Sequence, residues 1–207
     1  MIAGNTGQAG ALNLRSNSFY FSAPMLKPCN SEENKRQAMC RAAAQLDAAE
    51  SRAQPGEMSQ ALADVARCCR ALDDWPSAET CLVHALRWAR LAGSTDGVVD
   101  LMCELSETST SLAERFDADE DMEPGPAHAA RERARDHAFE ASTLAGRVAD
   151  TQWEVQVLLR ISDVLDRCGD RDDAMLLQTR ALRLMSGGLC AALDVSHLPS
   201  LGRLADA

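Results

Sequence analysis

The phrase His84-Ala85-Leu86, followed five residues later by Leu91-Ala92-Gly93, returns as His137-Ala138-Phe139 followed by Leu144-Ala145-Gly146. The offset is 53 residues (84 to 137), and the spacing inside the phrase is unchanged. A third copy, Arg180-Ala181-Leu182, lies 43 residues further along (137 to 180). Recurrence at this scale marks stacked supersecondary units, each of which buries its apolar face only against its neighbours. Such stacks usually offer an extended surface to partners rather than a closed catalytic pocket.

Composition sets the class of unit. Alanine and leucine dominate the 46% hydrophobic share, and aromatics make up 4%. Both dominant residues lose little freedom in a helix, and no long alternating β-branched run interrupts them. The expected fold is therefore all-α. The 207 residues supply one or two domains with ample chain for a core.

A formal charge of −10 with no offsetting basic stripe argues against nucleic acid and against anionic lipid as partners. No apolar run approaches the roughly eighteen residues of a membrane span. Arg15 follows the early apolar residues instead of preceding them, which argues against a secretory signal. A cytoplasmic location is expected. The basic residues are almost all arginine, with lysine only at 27 and 35. Together with the alanine and aspartate content, this is the composition of a GC-rich bacterial genome.

The chain has eight cysteines, yet none forms Cys-x-x-Cys. Cys81 and His84 share a helix face but lack a second ligand pair, so no metal and no cofactor are expected. Cys40, Cys68, Cys69, Cys81, Cys103 and Cys168 fall in helical segments, as small buried or half-buried thiols of a reducing compartment. A redox switch is the alternative.

Residues 1–30 read as an unfolded tail rich in Gly, Asn and Ser, with an aromatic knot at Phe19-Tyr20-Phe21. Ser31 opens a helix that runs to about Ser51, a capping helix or half-repeat over 31–54. Further helices are expected over 57–72, 76–92, 96–116, 126–146, 150–168 and 172–185. Their punctuation comes from Pro55-Gly56, Pro76, Gly93, Pro126, Gly169 and Gly187-Gly188. A last short helix, with Leu198, Leu201 and Leu204, is expected after Ser196 in the 189–207 tail.

Leu62, Leu105 and Leu158 stand 43 and then 53 residues apart, and Ala85, Ala138 and Ala181 stand 53 and then 43 apart. The units are thus 55–95, 96–149 and 150–188. The middle one carries a ten-residue acidic insertion at 116–126.

In the first unit the marks are Leu62, Val65-Ala66, Cys69, Asp73, Trp75, Ala78, Leu82 and Ala85-Leu86. In the third they are Leu158, Ile161-Ser162, Leu165, Gly169, Arg171, Ala174, Gln178 and Ala181-Leu182. This pattern resembles the tetratricopeptide repeat, in a variant whose period of 43 exceeds the usual value of about 34. The middle unit departs most. Arg131 stands where alanine is expected, while a stripe of Ala127, Ala130, Ala134, Ala138, Ala141 and Ala145 points to a shifted register.

The resemblance implies a right-handed α-solenoid whose first helices line a concave groove. The implied groove positions are Gln60, Ala63, Arg67 and Arg70, then Cys103, Ser106, Thr110 and Ala113, then Gln156, Leu159, Asp163 and Asp166. Its basic end at Arg67/Arg70 and acidic end at Asp163/Asp166 suit a peptide or helix with charges of opposite order. The implied function is a non-catalytic scaffold or adaptor. A bacterial secretion-type chaperone, a peptide-sensing module and self-association through terminal helices are the alternatives.

Capture of a terminal carboxylate, as in chaperone-tail binders of the family, does not fit. Of Ala63, Arg67, Glu107, Gln156 and Arg160 at those positions, only Arg160 is suitable, and Glu107 repels the ligand. Asp117-x-Asp119-x-Asp121 opens like a calcium loop, but Met122 replaces the required glycine and His128 the closing glutamate. Catalysis has no sequence support, because His84, His128, His137 and His197 accompany no recognisable nucleophile or carboxylate pair.

Overall fold

A computed structural model describes residues 31–119 and 123–192; the tail over 1–30, with its aromatic knot, and the expected helix after Ser196 lie outside them. Seven helices fill the described residues: α1 (Ser31–Arg52), α2 (Pro55–Ala71), α3 (Trp75–Ala92), α4 (Thr95–Ala118), α5 (Pro124–Ala145), α6 (Thr151–Arg167) and α7 (Arg171–Ala192). The fold is all-α, as composition requires. No helix among them is long and apolar enough to cross a membrane.

Local chemistry sets the boundaries. Asp74, Ser94 and Asp150 accept first-turn backbone N–H groups of Ser77, Gly97 and Trp153 at 3.2, 3.1 and 3.0 Å. Such caps contribute about 1 kcal/mol each. Pro55, Pro76 and Pro124 occupy first turns, where the missing N–H costs nothing. Gly93 ends α3 in the left-handed conformation, φ 73°.

The turn between paired helices recurs. Asp73 (φ 71°) and Gly169 (φ 91°) stand 96 residues apart, the same offset as Ala85 and Ala181. The N–H of the following residue closes the same bond in each: Asp74 to the Cys69 carbonyl and Asp170 to the Leu165 carbonyl, both 2.9 Å. The first and third units therefore share one turn geometry, a Schellman-like closure.

Two expectations need correction. The glycine pair Gly187-Gly188 does not end α7, which continues to Ala192. Glycine costs about 1 kcal/mol in a helix interior but does not forbid the helix, and no proline stands between Gly187 and Ala192. The acidic insertion is also less loop than expected. α4 runs on through Ala118, and α5 begins at Pro124 rather than Pro126. Most of the extra residues thus lengthen the two helices of the middle unit.

Each helix packs against its predecessor and successor, and α4 also meets α6. One large core cluster joins Ala66, Leu82, Leu86, Val99, Met102, Leu105, Ile161 and Leu165 with alanines of α5. α5 faces that core with Ala134, Ala138, Ala141 and Ala145 and a smaller cluster of Leu112 and Ala113 with Ala130; these alanines and Ala127 are all buried. Arg131 lies beside this seam and pairs with Asp117, which accounts for an arginine where the repeat pattern asks for alanine. α4 buries Ser106, Thr108, Ser109 and Thr110, of which Ser106 reaches across to α5. Their hydroxyls donate to the Ala134 carbonyl (3.1 Å), the Glu104 carbonyl (2.7 Å), the Glu79 carboxylate (2.6 Å) and the Ser106 carbonyl (2.8 Å). Small side chains let the two helices approach, and these bonds satisfy the polar groups so enclosed.

Ala138→Leu forces a larger aliphatic side chain into this seam and is expected to cost about 1–3 kcal/mol in urea unfolding. Exposed Ala129→Leu on the same helix is expected to stay within about 0.5 kcal/mol of wild type. Equal effects of the two would contradict the seam.

Candidate functional site

The helices that open each unit, α2, α4 and α6, are linked by ion pairs. Arg67 and Arg70 of α2 both reach Glu104 of α4 at 3.0 Å, and Arg67 also pairs with Asp64. Arg160 and Arg167 of α6 reach Glu107 and Glu114 of α4 at 2.9 and 2.8 Å. Each of these two α4–α6 pairs spans 53 residues, the repeat offset. Register-equivalent positions of neighbouring units thus carry opposite charges. The hydrogen bonds from Arg167 hold the Glu114 carboxyl below the ordinary glutamate range.

The accessible stripe of α4 is Asp100, Glu104, Glu107, Ser111 and Glu114, spaced 4, 3, 4 and 3 residues apart. That spacing keeps all five on one helix face. Beside it lies a cavity of about 280 Å³, walled by Ser59, Gln60, Ala63 and Arg67 of α2, by Gly97, Asp100, Leu101 and Glu104 of α4, and by Arg160 of α6.

The residues expected in the groove divide into two sets. Gln60, Ala63, Arg67 and Arg160 come together at the cavity. Gln156, Leu159, Asp163 and Asp166 are exposed on α6, and Arg70 is half-buried on Glu104. Cys103, Ser106, Thr110 and Ala113, in contrast, are buried and present no surface. Ser106 faces α5 through its bond to the Ala134 carbonyl, and the Thr110 hydroxyl lies 3.6 Å from the Cys168 sulfur. α4 is enclosed by α3, α5 and α6, so only a narrow strip of it remains open, one residue on from the positions transferred by number.

The electrostatic reading changes as well. Arg67 and Arg70 form no free basic end, because Glu104 and Asp64 neutralise them. Asp64, Asp100, Glu104, Glu107, Glu114 and Asp163 stand against Arg67, Arg70, Arg160 and Arg167, so the face is acidic on balance. Asp100 makes no ion pair with a described residue. Partial burial raises its pKa above the ordinary aspartate value; Arg160 opposes the rise, Glu104 and Asp96 reinforce it, and a hydrogen bond with Trp153 opposes it.

The repeat pattern does not single out Asp100, Leu101 or Glu104, and all three line the cavity. Two signals in the chain point to this face: the charged period along α4, and opposite charges at the repeat offset (Glu107 with Arg160, Glu114 with Arg167).

A raised carboxyl pKa in the folded state favours folding while the group is protonated, and that contribution is lost as pH rises through the folded value. Asp100→Asn has no such loss. Its stability relative to wild type, followed by urea midpoints, is expected to rise as pH climbs through the carboxylate range and to be positive at pH 7. A pH-independent difference would contradict this account of Asp100.

No family model matches the chain, and no curated protein matches it. Among solved structures it is similar to the crystal structure of BtubC (BKLC) from P. vanneervenii, with a TM-score of 0.58 at 14% identity. The match covers 84% of this chain and 63% of that one, so this chain spans under two thirds of that protein's length. A structure described as the DHF58 filament matches with a TM-score of 0.44 at 20% identity, over 76% of this chain and 83% of that one. The likeness to BtubC is one of fold.

Proposed function

We propose that this chain is a non-catalytic protein–protein interaction scaffold of tetratricopeptide-like build, and that it holds a basic peptide or helix of its partner along α2, α4 and α6. The observation that carries this reading is Asp100. It is a partly desolvated carboxylate without an ion pair to a described residue, at the edge of a cavity whose other charges are matched. Asp100 is exposed, and a carboxylate left there without a countercharge suits recognition rather than stability.

A cationic side chain entering the cavity finds Asp100 and Glu104 in its wall, beside Arg67 and Arg160 that are already paired, while Gln60 and Ser59 supply neutral polar contacts. The excess of carboxylates along the stripe extends the attraction over several turns. It steers a basic segment and discourages an acidic one. Exposed Leu159 on α6 offers an apolar contact beside this acidic run. The amphipathic partner that fits has lysine or arginine on one side and an aliphatic residue on the other.

Selection from a displayed random-peptide library tests the reading. The enriched peptides are expected to carry net positive charge and to bind less tightly as salt rises. Asp100→Lys, with wild-type helical content by circular dichroism, is expected to weaken them about tenfold or more. No enrichment, or peptides that bind the variant as well as wild type, would contradict it.

A further inference from the structure

α7 is apolar on two opposite faces. Its inner face packs Ala174, Leu177, Ala181 and Leu184 into the stack. Its outer face carries Met175, Leu176, Leu182 and Met185, which are 59%, 66%, 63% and 52% exposed. On α3, the counterpart helix of the first unit, Leu86 and Ala89 hold the register of Leu182 and Met185 (each 96 residues on). Those two are buried and share a core cluster with Val98, Val99 and Met102 of α4, the helix that follows. A helix apolar on every side belongs in an interior, yet no described helix covers the outer face of α7.

That face is also ready for burial. Met175, Thr179, Leu182 and Ser186 recur at intervals of 4, 3 and 4 and form one line along the helix. Both hydroxyls in the line turn back onto the helix: Thr179 donates to the Met175 carbonyl at 2.8 Å, and Ser186 to the Leu182 carbonyl at 2.6 Å. Covering the line therefore strands neither hydroxyl. Asp172 and Arg183 are exposed and stand eleven residues apart, close to three full turns, so they flank the line on the same side. Neither makes an ion pair with a described residue.

We infer that a second copy of the chain covers this face, with α7 packed antiparallel on α7 about a two-fold axis near Gln178. The axis sets Asp172 of each copy beside Arg183 of the other and interleaves the Met175 and Leu182 side chains of the two helices. The acidic residues of α7, Asp172 and Asp173, are confined to its first turn, so a parallel partner would offer Arg183 no carboxylate. Head-to-tail stacking is disfavoured at the other end of the molecule. α1 exposes Glu32, Glu33, Arg36, Arg41 and Asp47 there, and burying them on an apolar face leaves them without partners. The contact is thus isologous and closed, a dimer rather than a filament. It shares no residue with the cavity between α2, α4 and α6.

Sedimentation equilibrium on the full chain tests the contact. Wild type is expected at twice the monomer mass at micromolar concentration and above, and to dissociate on further dilution. L182D lies at an exposed position and is expected to keep wild-type helical content by circular dichroism while raising the dimer dissociation constant about tenfold or more. D172R and R183E are each expected to weaken the dimer several-fold. An equimolar mixture of the two is expected to regain wild-type association, because the mixed dimer again holds two opposite-charge pairs. If L182D loses helical content, the two charge variants decide. A wild-type chain that stays monomeric at its highest soluble concentration overturns the inference, as does an assembly larger than a dimer. So does a dimer that folded L182D leaves intact, which would place the contact elsewhere. A mixture no tighter than D172R or R183E alone overturns the antiparallel pairing.

Discussion

The close approach of α4 and α5 sets the position of everything on the open face. Six alanines of α5 leave no side chain long enough to hold the helices apart, and Ser106 of α4 donates across the seam to the Ala134 carbonyl. Hydroxyls buried on α4 are costly unless bonded. Each of Ser106, Thr108, Ser109 and Thr110 has a partner, two of them within α4 itself. The seam fixes α4 in one rotational register. The remaining open strip is then Asp100 through Glu114.

That register explains why α4 carries the acidic partners for both of its neighbours. Glu104 serves α2, and Glu107 and Glu114 serve α6. Pairs of this kind, partly exposed, contribute little individually to stability, on the order of 0–1 kcal/mol. Their effect is on alignment: charges matched at the repeat offset favour one sliding position of α6 against α4 over others. Asp100 lies on the same strip but outside the matching, so the strip keeps an acidic surplus.

Much of the fold is legible in the sequence. Breakers such as Pro76, Gly93 and Gly169 locate helix ends, and the 96-residue offset of Ala85 and Ala181 recurs between the turns at Asp73 and Gly169. The alanine stripe of α5 announces a tight seam despite Arg131. The site is less legible. Transferring groove positions by number assumes that every first helix is exposed alike, but α4 lies inside the stack, and Cys103, Ser106, Thr110 and Ala113 turn inward. The end of α7 escapes a reading by breakers because glycine lowers helix stability without forbidding it, and the residues after Gly188 decide.

The central claim, that α4 and α6 meet in the register set by the seam, is tested most directly by a charge-swap cycle on Glu107 and Arg160. E107R and R160E are each expected to lower the urea midpoint, and E107R/R160E to recover most of the loss, with a coupling of about 0.2–1 kcal/mol. Additive losses, with the double variant no better than the sum of the singles, would contradict that register and the open face built on it.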